Sequence, residues 1–287
     1  MNALSHVSTG IFDRLLAPLE LIGFPFALIV ISAVFGILAL IAFKHLSAQG
    51  RIKAAKEKIK AHLIEIRIYQ DDLAIVGRAI GKVLLRNLQY LALNFAPFVP
   101  LSIPFVLVIA QLVVRYGFEP VRVHAQGESI LPGNGAMIEV ELAGARAADV
   151  SGLKIELPEG VRALSPLVRI PSDGRAYQEV VAFAPVAGEI GFVLADGTRV
   201  SKSMVAGVAG ASNGPLQPER SRGSLSGLLW PAEDTLASDS PFQSVRLEYP
   251  ERKMGVLPDG PAGILLAFLI ASMAAGLLVL KPLKIQI

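Results

Sequence analysis

The chain has 287 residues, 53% of them hydrophobic and only 18% charged, with a mean hydropathy of +0.54 and a net charge of +3. A soluble domain averages about 25% charged residues, so this composition points to a membrane protein. Cysteine is absent, which excludes disulfides, thiolate chemistry and Cys-ligated metal.

Residues 1–20 carry only Asp13, Arg14 and Glu20 as fixed charges and read as a short segment outside the first span. Leu21–Phe43 is uncharged over 23 residues, enough for a transmembrane helix. A signal peptide is the alternative reading. The run is long for an apolar signal core and is not preceded by a basic stretch.

Residues 44–86 read as a basic helical hairpin. In the first arm, Ile52, Ala55, Ile59, Leu63 and Ile66 recur at steps of three and four, while Lys53, Lys56, Lys60 and Arg67 occupy other faces. Asp71-Asp72 interrupts the stripe and suits a helix N-cap. Leu73, Val76, Ile80 and Leu84 then form a second stripe. Over 87–114 an interfacial helix, from about Gly81 to Ala96, is expected to break at Pro97 and Pro100. A span from about Ser102 to Val114 follows.

Residues 115–208 alternate polar and apolar positions in AMIEVELAG, GLKIELPEG, AYQEVVAFAP and EIGFVLADG, punctuated by Gly, Pro, Asp and Asn. That pattern predicts an antiparallel β-sandwich of six or seven strands beginning near Val121. Lys154 and Lys202 are expected on its surface. Residues 209–260 hold a Gly/Ser/Pro-rich linker, the single tryptophan Trp230, and one further strand, Ser244–Tyr249, expected to rejoin the sandwich or to pair with a neighbour. Trp230 reads equally as an anchor in an interface and as a local packing plug. Residues 261–280 form the third span, and 281–287 a tail with Lys281 and Lys284.

Charge orients this arrangement. Between the first two spans there are ten Lys and Arg against four Asp and Glu; from Arg115 to Gly260 there are 14 against 18. Positive loops stay cytoplasmic, so the hairpin and the tail are expected inside, with the N-terminus and β domain outside. The fold class expected is therefore membrane α plus β: three transmembrane helices, a cytoplasmic hairpin, and an extracytoplasmic β-sandwich between spans two and three. The lack of cysteine and of any N-x-S/T acceptor fits a bacterial inner membrane with a periplasmic β domain.

Catalytic and ligand motifs are not apparent. His6, His45, His62 and His124 are scattered without metal-ligand spacing. GNG at 133–135 reads as a turn rather than a phosphate cradle, and no Ser/His/Asp arrangement stands out. No enzymatic activity, cofactor, metal or nucleic-acid partner is expected.

The layout resembles the Oxa1/YidC insertase superfamily, and within it the EMC3-like three-span branch. The residues carrying the resemblance are GFPFALIVISAVFGILALIAFKHLSAQGRIKAAKEKIKAHLIEIR and LLRNLQYLALNFAPFVPLSIPFVLVIAQL. The extracytoplasmic β domain is an addition to the compact members. The resemblance implies a role in membrane-protein insertion, folding or assembly. Lys53, Lys56, Lys60 and Arg67 would contact clients or anionic headgroups, and Arg86, Asn94 and Gln111 would line a polar path, Asn94 and Gln111 facing each other across a water-accessible cavity. Superfamily members usually hold a charge within the span; Leu21–Phe43 has none, and its only polar side chain is Ser32. The alternative is a structural subunit of a larger membrane complex that clamps its partners through the β domain.

Overall fold

A computed structural model of the protein describes residues 2–207 and 214–280. Lys281, Lys284 and linker residues 208–213 lie outside them. Among the described residues, three helical stretches are long and apolar enough to cross a membrane: α2 (Phe24–Leu46), the run Leu73–Tyr116, and α7 (Gly260–Leu280). These three apolar stretches support a membrane location. The chain divides into two compact units, one comprising the residues up to Val30 with Val106–Ile270, the other Ile31–Phe105 with the residues from Ala271 onward.

The first unit opens with a helix that the sequence reading did not anticipate, α1 (Asn2–Glu20). Its other main part is the β domain. Strand β1 (Ala136–Leu142) lies centrally in a six-stranded sheet, paired with β5 (Arg175–Ala182) on one side and β9 (Phe242–Leu247) on the other. The outer edge of β5 takes β3 (Val161–Ala163) and β4 (Val168–Ile170) in turn. The outer edge of β9 takes β8 (Glu219–Ser221). A second sheet has the order β2 (Lys154–Glu156), β6 (Val186–Val193), β7 (Arg199–Ala206). All these pairings are antiparallel.

Alternation drives this arrangement. Ala136, Ile138, Val140 and Leu142 are buried while the intervening residues are not. They share one core with Val180, Phe242, Val245 and Leu247 of the first sheet and Ile190, Phe192 and Met204 of the second. The late strand thus rejoins the domain, and does so beside the central strand. Residues 121–135 contribute only isolated bridges, at Val121 and Val123, so regular strands begin later than the sequence suggests. Two short helical pieces, a 3-10 helix at Gly144–Gly152 and α6 (Ser224–Leu229), interrupt the β structure.

The second unit contains the hairpin of α3 (Gln49–Ile68) and α4 (Leu73–Phe95). Asp72 is the N-cap of α4, its carboxylate accepting from Ala74 N at 2.9 Å and Ile75 N at 3.1 Å. The second arm and the interfacial helix are one continuous helix. It ends before Pro97, and α5 (Phe98–Tyr116) begins at once, with Pro100 and Pro104 inside it. Forty-four residues of helix would extend about 66 Å, twice a bilayer core of about 30 Å, so only part of Leu73–Tyr116 can cross. In the same unit α2 meets α7 at small residues. A Cβ on Gly36 would fall 2.1 Å from the Ser272 carbonyl oxygen, so only glycine fits this crossing.

Candidate functional site

The hairpin brings the sequence-selected cations together on one arm. Lys53, Lys56, Lys60 and Arg67 are all exposed on α3, and none is in an ion pair with a described residue. The link between the arms is elsewhere. His62 Nδ1 lies 2.9 Å from Glu65 Oε2, and Lys82 Nζ of α4 lies 3.8 Å from Glu65 Oε1. The hydrogen bond from His62 is the main influence holding the Glu65 carboxyl below its usual range, with the charge of Lys82 adding to it.

The two arms close on small residues. Ala55 and Ala79 are buried, flanked by half-buried Ile52, Ile59, Val76 and Val83. This corrects the expected stripe on α4: Leu73, Ile80 and Leu84 turn outward instead of into the hairpin. The physical reason is the close approach that alanines allow, which leaves the leucines to the opposite face. Leu73, Ile80, Leu84, Leu88, Leu91 and Phe95 form an outward apolar stripe at helical spacing, each more than half exposed. A basic arm therefore stands beside an apolar one. Such a surface can hold a hydrophobic segment or lie on a membrane with acidic headgroups.

Each of the three residues expected to line a polar path has a hydrogen-bond partner within its own unit. Arg86 Nη1 donates to Gln89 Oε1 at 2.6 Å. Asn94 Nδ2 turns back to the Tyr90 carbonyl of its own helix at 2.7 Å. Gln111 is fully buried, and its Nε2 donates to Ser8 Oγ and Thr9 Oγ1 of α1, both at 2.9 Å. At Gln111 the side chain is covered by α1. One turn further along α5, Arg115 bonds to the Thr9 carbonyl and to the Asp13 carboxylate, and Tyr116 Oη donates to Glu20 Oε1 at 2.7 Å.

Two polar residues of the β domain escaped the sequence reading. Lys202, expected at the surface, is buried at 1% exposure. It shares the inward face of β7 with Met204 and Ala206, and this period of two was the available signal. Its ammonium bonds to the Glu233 carboxylate and the Gln217 carbonyl. Burial pushes its pKa down, opposed by the charge of Glu233. Glu179, 5% exposed, accepts from Gly133 N and Gly135 N at 2.7 Å each, which makes GNG a pinned turn.

Trp230 is half-buried against the β-domain core, its ring 6.2 Å from that of Phe118. Of the histidines with described side chains, His62 lies in the hairpin, His45 is exposed and His124 is buried. Among the described residues no cluster of His, Asp and Glu could hold a metal ion. The chain matches no protein-family profile, no curated protein and no solved structure.

Proposed function

We propose that the protein works in membrane-protein biogenesis, with the α3–α4 hairpin as the surface that receives hydrophobic client segments. The observation that carries this reading is the outward apolar stripe Ile80, Leu84, Leu88, Leu91 and Phe95 beside the unpaired cations of α3. Apolar side chains exposed in a continuous stripe call for a non-aqueous neighbour. A cationic arm next to them attracts acidic lipid and the charged flanks of a client. The Oxa1/YidC-type layout of spans and hairpin supports the same role, with the hairpin cytoplasmic and the β domain outside, in a bacterial inner membrane.

A structural-subunit role is the second reading. It is favoured by the covering of Gln111 and by the uncharged apolar run of α2, which leave no polar path at those positions. The test is photocrosslinking from single sites on the outward stripe, at Leu84 and Leu88, during synthesis of labelled membrane proteins. The client reading expects adducts with many different nascent chains, lost when synthesis is stopped. A single fixed set of adducts, unchanged by stopping synthesis, would replace it with the structural reading.

A further inference from the structure

We propose that α1 is a membrane-docking helix, lying in the boundary between headgroups and acyl chains of the leaflet where α2 begins and α5 ends. This inference rests on α2 and α5 being membrane spans. It is independent of whether the hairpin receives clients.

At 100° per residue, α1 divides into three sectors. The first faces the protein: Ser8, Thr9, Phe12, Leu16, Leu19 and Glu20 are buried or half-buried. Its polar members bond to α5, through Gln111 and Tyr116. The second sector, Val7, Ile11 and Leu15 with Pro18, is apolar and exposed, at 60%, 52% and 53% for the first three. The third, Gly10, Asp13, Arg14 and Ala17, is small or charged, and also exposed.

A soluble helix needs two sectors, one for the core and one for water. A third, outward and apolar, calls for a neighbour that is neither, and the surroundings of α1 identify it. Leu21–Gly23 alone joins α1 to the span α2, and Leu21 and Ile22 are themselves exposed, at 86% and 69%. The partner side chain Gln111 lies five residues before the end of α5, about 7.5 Å along its axis. The Ser8–Thr9 turn in the middle of α1 is therefore held at a depth matching the roughly 5–10 Å at which interfacial helices bury their apolar face. Arg14, in the third sector, is placed to reach headgroups or water.

The test uses the absence of cysteine. Single variants I11C, R14C and L38C of the full chain are spin-labelled and reconstituted in phosphatidylcholine and phosphatidylglycerol vesicles, and collisions are measured with oxygen and with a water-soluble nickel complex. Leu38 lies within α2 and is 59% exposed, so it reports on the span itself. The expected result is oxygen contact with little nickel contact at residues 38 and 11, and strong nickel contact at 14. Nickel contact at 11 equal to that at 14 would put α1 in water and overturn the proposal. Protection of 11 from both reagents would show a protein cover instead, with the same consequence. If residue 38 also contacts nickel, the span reading itself fails and takes the proposal with it.

Discussion

The β domain and the second arm of the hairpin use the same side chains in opposite ways. Phe192, Phe242 and Leu247 are wholly buried in the β domain, whereas Leu84, Leu88 and Phe95 stand 58–64% exposed on α4. In the first, apolar groups leave water for one another, at roughly 25 cal/mol per Å² buried. In the second, alanines take the inside and the bulky residues face out. The difference teaches that burial of apolar side chains reports the surrounding solvent. In the β domain the bulky side chains are enclosed, and on α4 they are presented outward. The sectors of α1 fit the same division.

The sharpest way to break the comparison is to disturb the ion pair of Lys202, a charged side chain that the β domain encloses. Glu233→Ala strands Lys202 in the interior without its counter-ion and also removes an acceptor from Ser203 Oγ. Removing one partner of a buried pair costs about 3–5 kcal/mol. The expected outcome is a large fall in the denaturant midpoint of the full chain in detergent, followed by the fluorescence of Trp230, which packs on this core. An unchanged midpoint would mean that Lys202 reaches water and that the interior is not closed there.

The hairpin supplies the intermediate case. Its turn depends on the Asp72 carboxylate, which satisfies two amides that the helix start leaves without partners. Asp72→Ala should cost about 1 kcal/mol and speed amide hydrogen exchange at Ala74 and Ile75 about fivefold. Exchange confined to that turn fits a hairpin held along its length by close packing of its arms. Exchange spreading along all of α4 would show that the arm depends on its cap, and would weaken its use as a rigid apolar surface.

What the sequence disclosed follows from the range of each signal. Long uncharged runs identify spans because a bilayer requires about 20 apolar residues together. Alternation identifies the strands, as in Ser244–Tyr249, where Val245 and Leu247 turn inward. Asp72 was legible because a cap acts within three residues. Signals that depend on distant partners were not. Gln111 looks like an isolated polar residue in a span, and its partners Ser8 and Thr9 lie some hundred positions away. The inward turn of α4 was missed because leucines outweigh Ala79 in a hydrophobic stripe, although the smaller residue permits the closer approach. Val7, Ile11 and Leu15 recur at helical spacing, but Asp13, Arg14 and Glu20 interrupt the segment, so no long uncharged run marks α1.

The smallest expected stability effect is the most telling. Leu84→Ser on α4 replaces a leucine that is 64% exposed and makes no core contact. Away from caps and cores such a change stays within about 0.5 kcal/mol, so thermal unfolding of the chain in detergent should be unchanged. The same change at Leu247, wholly buried between β1 and β8, would leave a cavity and an unpaired hydroxyl in the core. If the outward stripe contacts an apolar segment, Leu84→Ser removes a side chain worth about 1.5–3 kcal/mol when fully covered. Combined with Leu88→Ser, it should reduce client crosslinking from Phe95 about tenfold or more without loss of folded protein. Crosslinking at the original level would show that the stripe is covered by something other than clients. A loss of folding instead would place these leucines inside a core, and the contrast between the two regions would disappear.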